Sequence, residues 1–269
     1  MIERRITFII GDKGIPTREL NQLKILANHF RAVVVMLNIT HLRQANIEQT
    51  VRMMSLGCKQ GYLCQLLIEG SDAELACMVF TDFLSEHFIL VNTSGKKKNR
   101  NVCCVDSCDE GNSTFYLPFE MKFTSQELIG NEYVSEGKPA LLAQLCNMLN
   151  IKKSELLLDL MLRREEVSST VMGNGIALPH VISAEIKEPA MAMIQTMQPI
   201  EWESNRGPVT RLIAMILPAP AQRPHIQAFS HFSKSLLDPD FCHLLTDNTE
   251  SEALKAIILH TLSRPFHTD

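Results

Sequence analysis

The chain has 269 residues, 45% of them hydrophobic and 21% charged, and a formal net charge of -4. That length exceeds one average core and suits two domains, while the mild acidity argues against general nucleic-acid binding. No apolar run reaches the length of a membrane span, and the start Met1-Ile2-Glu3-Arg4-Arg5 lacks the apolar core of a signal peptide, so the expectation is a cytoplasmic protein with no direct membrane insertion.

Residues 1–90 read as one unit. Residues 5–10 predict a strand and Gly11-Asp12-Lys13-Gly14 a loop. A helix opens at Pro16, with Leu20, Leu23, Ile25, Leu26 and Phe30 at helical spacing. A β-branched run predicts a strand over residues 33–39, and a short helix over 47–56 stops at Gly57. Residues 61–70 give another strand, and Ser71-Asp72-Ala73-Glu74 reads as a capping box before a helix to about His87. Of the eight cysteines, Cys58, Cys64, Cys77, Cys146 and Cys242 are scattered through apparent helices and strands, where a free thiol packs as a small hydrophobe.

Residues 91–126 are polar and irregular and read as a linker, its basic run Lys96-Lys97-Lys98 a solvated face. Cys103, Cys104 and Cys108 cluster there without C-x-x-C pairing or a nearby histidine, so no metal site is expected. Phe115-Tyr116-Leu117-Pro118-Phe119 is apolar enough to dock on a neighbouring domain.

Residues 127–269 form a second unit. Helices are predicted from Ser135 through Leu149 and from Lys153 to about Glu166, strands over 190–195 and 209–217, and helices over 225–237 and 250–262. That alternation implies an α/β (α+β) architecture, with helices on both faces of a sheet. Between helix and strands lies Gly173-Asn174-Gly175-Ile176-Ala177-Leu178-Pro179-His180, where glycines flank Asn174 and Pro179 fixes the approach to the histidine. A histidine so held can expose one ring nitrogen as a nucleophile while the other is fixed by a hydrogen bond. By itself it also reads as a packed histidine closing a turn.

The string Ser169-Thr170-Val171-Met172-Gly173-Asn174-Gly175-Ile176-Ala177-Leu178-Pro179-His180 resembles the phosphorylation-site motif of fructose/mannitol-type enzyme IIA domains of the bacterial sugar phosphotransferase system (PTS), roughly S-T-x-I-G-x-G-I-A-[IVL]-P-H. Pro224-His225-Ile226-Gln227-Ala228-Phe229-Ser230 is similar to the family's second histidine motif, and Leu217-Pro218-Ala219-Pro220 before it also matches. The resemblance implies an enzyme IIA-type sandwich on a mixed sheet, in which His180 is the phosphorylated residue. His225 is implied as a hydrogen-bond donor to the phosphoryl oxygens, though alone it reads as a half-exposed first-turn residue. Arg164 matches the arginine of the family's R-E-x-x-x-S-T string and is implied as a phosphate contact, with adjacent Arg163 a competitor. Ser169 and Thr170 either supply hydroxyl donors or shape the turn. Val181 stands where the family commonly has glycine and is expected to narrow access to His180.

The first unit resembles HPr, the histidine phosphocarrier of the same system, and implies its open-faced sandwich. Gly14-Ile15-Pro16-Thr17-Arg18 sits at the place of G-[LI]-H-[TA]-R, and Leu56-Gly57-Cys58-Lys59-Gln60-Gly61 at that of L-[GAM]-[VL]-x-x-G. Pro16 takes the place of the phosphorylated histidine, and Gln49 falls about where many HPr proteins carry a regulatory serine. Proline has no side-chain nucleophile, so this unit is expected to dock or regulate and not to carry phosphate, although Arg18 and the helix start still favour an anion. The implied function is a phosphotransferase component that takes phosphate from phospho-HPr on His180 and passes it to an enzyme IIB component for sugar uptake, with no cofactor. The alternative is a nitrogen-type regulatory IIA protein, in which phosphorylation of His180 controls binding to a target.

Overall fold

The computed structural model describes residues 2–91, 102–103, 115–128, 132–149 and 154–266. It divides into two compact units, 1–114 and 115–269.

In the first unit, β1 (Ile2–Ile9), α1 (Thr17–Ala27), β2 (Val33–Asn38), β3 (Arg43–Asn46), α2 (Thr50–Ser55), β4 (Leu63–Gly70), α3 (Ala73–His87), β5 (Ile89–Val91) and β6 (Val102–Cys103) follow in order. The sheet runs β3-β2-β4-β1-β5-β6, antiparallel except for the β5–β6 pair. Phe8, Met36 and Leu66 point from its central strands into one core with Leu23 of α1, Met53 of α2, and Phe80 and Leu84 of α3. Period-2 alternation in the strands and helical spacing in the helices together build that face.

Several local expectations shift. Ile25, placed on the apolar stripe of α1, is 58% exposed, because Leu20, Leu23 and Ala27 already fill the helix's inward face. Helix α2 starts at Thr50, and Ile47 before it is buried in the core. The capping box at Ser71 does not form: Asp72 is the N-cap without a side-chain cap bond, and its Oδ2 accepts the Arg31 N–H at 2.8 Å. Glu74 pairs with Arg4 at 2.6 Å. Strand β6 lies inside the stretch expected to be irregular, and Cys103 belongs to it. Cys104, Cys108, the basic run at 96–98 and residues 111–114 lie outside the described residues.

The second unit contains β7 (Lys122–Leu128), α4 (Glu132–Met148), α5 (Ser154–Val167), β8 (Val171–Gly173), β9 (Ile176–Ala177), β10 (His180–Ser183), β11 (Ala190–Ile200), β12 (Val209–Pro218), α6 (Arg223–Ser235), α7 (Pro239–Asp247) and α8 (Ser251–Ser263), then a 3-10 turn at Arg264–Phe266. Its sheet runs β7-β11-β12-β9-β8, with β10 also on β12, and it is mixed. Ala190, Ala192 and Ile194 of β11 and Leu212, Ala214 and Ile216 of β12 face a core that includes Leu141, Leu142 and Leu145 of α4 and Leu157 and Met161 of α5. The alternate residues point to the other face, where Arg211 reaches the end of α7 and Gln195 the carbonyl of Thr249 just before α8. Helices therefore cover both faces.

Helix α4 breaks at Gly137 (φ 74) before Pro139 restarts it. Strand β7 crosses the expected linker edge at 126, because its sequence Lys-Phe-Thr-Ser-Gln-Glu-Leu, fit for a half-exposed sheet edge, carries little hydrophobic signal. The segment at 115–119 docks within this unit: the Phe115 ring meets His260 at 5.3 Å, and Phe119 meets Phe266 at 6.4 Å. No described helix is long and apolar enough to cross a membrane.

Candidate functional site

The segment 171–183 doubles back as the β8–β9 hairpin and then runs along β12. Asn174 (φ 49) and Gly175 (φ 78) make the turn. A Cβ at Gly175 would stand 3.3 Å from Thr210 Oγ1, while its carbonyl accepts the N–H groups of Thr210 (2.8 Å) and Arg211 (3.0 Å). Glycine there lets the hairpin lie directly on β12. Ile176 and Ala177 pair with Arg211 and Leu212, and His180 onward pairs with Met215 onward. Between the two pairings, Leu178 N–H donates to Thr170 O (3.0 Å) and Met215 N–H to Pro179 O (2.9 Å).

Register then decides where His180 points. Val181 pairs with Ile216, and both belong to the core under α4 and α5. Neighbouring residues of a strand face opposite ways, so His180 and its partner Met215 lie on the other face, the side of α6 to α8. Val181 is thus buried behind the strand and does not narrow the approach to His180. The His180 ring is half-buried, with Nδ1 2.9 Å from Leu178 O. A carbonyl only accepts, so in the neutral ring Nδ1 carries the proton and Nε2 the free lone pair.

His225 lies in the first turn of α6, which follows β12 directly. It is 4% exposed, where half-exposure was expected, because Phe119 covers it edge-on at 4.7 Å. Its Nδ1 has no hydrogen-bond partner among the described residues, and burial pushes its pKa below the usual histidine value. A neutral ring has one N–H to donate. The N-cap residue Gln222 makes no side-chain cap bond, so the first-turn N–H groups of Arg223 and His225 keep their donor capacity (Pro224 has no N–H), a setting that favours an anion.

The remaining predicted residues serve the turn. Arg164 Nη1 donates to Ser168 O (3.0 Å) and Ser168 Oγ (3.2 Å), closing the end of α5, while Arg163 pairs with Asp159 at 2.9 Å. Ser169 is exposed, and its Oγ accepts the Val171 N–H at 3.4 Å. Thr170 is buried and donates its hydroxyl to Glu165 Oε2 at 2.6 Å, so of the two roles open to it, shaping the turn is the one its bonds serve.

Glu165 and Arg211 are the parts that sequence reading missed. The Glu165 carboxylate is buried and accepts from Thr170 N–H (3.1 and 3.2 Å), the Thr170 hydroxyl and Trp202 Nε1–H (2.9 Å), with Lys138 Nζ at 3.7 Å. The signal was its place inside the R-E-x-x-x-S-T string. Buried Arg211 donates to the carbonyls of Leu245 (3.1 Å), Thr246 (2.8 Å) and Asn248 (2.8 Å), and burial lowers its pKa to about 10. Arg206 Nη1 donates to Val171 O at 3.2 Å and ties down the hairpin from outside. The whole presents one nucleophilic ring nitrogen on a braced turn, on the same sheet face as a helix start with donors to spare.

Residues 122–261 match the family described as phosphoenolpyruvate-dependent sugar phosphotransferase system, EIIA 2, and residues 3–86 match the PTS HPr component phosphorylation site. The PTS system 2-O-alpha-mannosyl-D-glycerate-specific EIIABC component of Escherichia coli strain K12 is 29% identical over 145 residues, 52% of this chain and 21% of its own length. The nitrogen regulatory protein of the same strain is 30% identical over 113 residues, 41% of this chain and 69% of its own. Its multiphosphoryl transfer protein 1 is 27% identical over 96 residues, 36% of this chain and 12% of that one. The chain thus spans about a fifth or less of the first and third of these relatives. Since the EIIA 2 match takes in more than half of its residues, the chain belongs to that family of the phosphotransferase system, with an HPr-type domain preceding the family domain.

Proposed function

We propose that this chain is a phosphoryl carrier that works through His180. Nε2 attacks the phosphorus of the phosphohistidine of HPr, the P–N bond to the donor imidazole breaks as the new one forms, and phospho-His180 then yields the group to a cysteine or histidine of an enzyme IIB component. A loose transition state of this kind needs alignment and charge stabilisation more than covalent help. The observation that carries the reading is the Nδ1 bond to Leu178 O, which leaves Nε2 open on the side of α6. His225 then donates its one N–H to the phosphoryl oxygens, aided by the first-turn amides of α6. Arg164 and Ser169 stay within the turn and hold its shape, and Thr170 anchors it to Glu165.

A second reading is regulatory: phosphorylation of His180 switches binding to a target and no sugar moves. Pro16 favours it, because an HPr-type unit without a nucleophile adds a recognition surface and no carrier. The 30% identity to a nitrogen regulatory protein points the same way. Incubation with phosphoenolpyruvate, enzyme I and HPr, followed by an isolated enzyme IIB domain, separates the readings. Transport requires rapid loss of phosphate to the IIB domain. Regulation requires phosphate that stays on the chain and alters its binding to another protein.

A further inference from the structure

Cys58 and Cys64 read from the sequence as two unrelated small hydrophobes, yet the fold brings their sulfurs to 3.7 Å, with the Cys64 thiol donating to Cys58. Cys64 is fully buried in β4, held between Phe8 of β1 and Asn38 of β2. Cys58 is half-buried in the loop between α2 and β4, which begins at Gly57 (φ 61) and turns at Gly61 (φ 78). One sulfur is fixed by two strand ladders, and the other sits on a short glycine-bracketed loop that solvent reaches.

We propose that this pair is a redox-responsive dithiol: a low-molecular-weight disulfide captures Cys58, and Cys64 resolves the adduct into an intramolecular Cys58–Cys64 disulfide. The inference is independent of the function proposed for His180. The sulfurs need to approach by about 1.7 Å to reach bonding distance, a movement confined to the loop carrying Cys58. The hydrogen bond from Cys64, joined by one from Asn38, draws the Cys58 pKa below that of an ordinary thiol against the opposing effect of burial. Burial drives Cys64 the other way. An accessible thiol favouring its thiolate beside a buried thiol that does not is the division of labour that exchange chemistry uses.

The steps balance. The Cys58 thiolate attacks one sulfur of the small disulfide, forms a mixed disulfide and releases a small thiolate. The Cys64 sulfur then attacks the Cys58 sulfur, the second small thiolate leaves, and the Cys64 proton passes to it. Two protein thiols are oxidised by two electrons, and one small disulfide becomes two small thiols.

The location gives the change a consequence. The Cys58 carbonyl lies 3.5 Å from where a Cβ of Gly14 would stand. Gly61 N–H donates to Ile10 O and Ile10 N–H to Tyr62 O, both at 2.9 Å, and Gln60 Nε2 donates to Asp12 Oδ1 at 2.6 Å. Drawing Cys58 inward therefore moves the loop that leads to Pro16.

The test treats the reduced full chain with oxidised glutathione, blocks remaining thiols with an alkylating reagent, and maps peptides without reduction. Trypsin cuts after Lys59, so the closed pair appears as two joined peptides whose fragmentation locates the link at Cys64. Half-buried Cys77, whose pKa burial raises, is the internal control and should be modified at least tenfold more slowly than Cys58. Cys64→Ala should accumulate the glutathione adduct on Cys58 at least tenfold over the wild type, because the resolving thiol is gone. Should Cys64→Ala not fold, Cys58→Ser, a loop change, serves: it should leave Cys64 unmodified. Equal rates at Cys58 and Cys77, an adduct on Cys58 that persists equally in wild type and Cys64→Ala, or ready capture of glutathione by Cys64 in Cys58→Ser would each overturn the proposal.

Discussion

Pro16 in the first unit and His180 in the second occupy comparable places. Each follows a loop with a left-handed glycine, Gly14 (φ 64) or Gly175 (φ 78), and each stands at the opening of an element, α1 or β10. Pro16 performs the backbone task fully: at φ -64 and ψ 152 it is the N-cap, and its carbonyl accepts the Leu20 N–H at 3.2 Å. What it lacks is a nucleophilic lone pair on its side chain. His180 adds to a similar placement a ring whose Nδ1 is tied to Leu178 O, and beneath its turn lies a polar floor centred on Glu165. Staging a residue and giving it a reactive side chain are thus separable, and the turn that leads to His180 rests on the buried, fully bonded Glu165 carboxylate.

The sharpest way to break this contrast is to remove the floor. Glu165→Ala strands the Trp202 indole N–H and the Thr170 N–H and hydroxyl, and leaves Lys138 with the exposed Glu203 carboxylate and the Trp202 ring face. The expected loss is about 3–5 kcal/mol of stability in the second unit, read as a fall in its thermal midpoint, with the first unit unchanged. A loss under about 1 kcal/mol would mean that the turn stands without its carboxylate.

Next comes the second histidine. His225→Ala should leave labelling of His180 intact but slow passage to the acceptor by the equivalent of about 2.7–4 kcal/mol, the usual effect of deleting one preorganised donor. Normal transfer in that variant would make His225 a packing residue against Phe119 only.

Acid gives a smaller effect. Burial lowers the pKa of both His225 and His231 from 6.5, so below that pH the unfolded chain takes up protons that the folded chain resists. Stability of the second unit should accordingly be full above pH 6.5 and fall below it, and His225→Phe should flatten the slope. Thermal unfolding on either side of pH 6.5 measures both.

Smallest in energy is the exchange at Pro16. Pro16→His should alter stability by less than about 1 kcal/mol, since the position is exposed and helix-opening. If the missing nucleophile is the only defect, the variant should acquire a second acid-labile phosphate. A variant that folds and stays unlabelled would show that the first unit has lost more than its reactive atom.

What sequence could reveal follows the same division between local and remote causes. The Gly173-to-His180 turn and the Pro16 substitution are contiguous strings, and each was legible from its residues. The run of β-branched residues in β2 and the helical spacing of Leu20 and Leu23 likewise needed only near neighbours. Strands β7, β9 and β10 were not legible, because each takes its form from pairing with a distant strand and carries too few apolar residues to announce itself. Helix α7 was missed, although its Asp238-Pro239 start is a local signal and the Asp238 side chain does accept the Asp240 N–H at 2.9 Å. The burial of Val181 away from His180, the Phe119 cover over His225 and the meeting of Cys58 with Cys64 all depend on register or long-range packing, which no short string encodes.

His180 Nε2 is the atom proposed to take the phosphoryl group. Incubating the full chain with phosphoenolpyruvate, enzyme I and HPr and locating the phosphate by mass spectrometry under alkaline conditions tests it directly. One phosphate per chain is expected, on His180, with none on residues 2–91 and no label on His180→Ala beyond background. Phosphate on any other residue of the wild type, or undiminished labelling of His180→Ala, would contradict it.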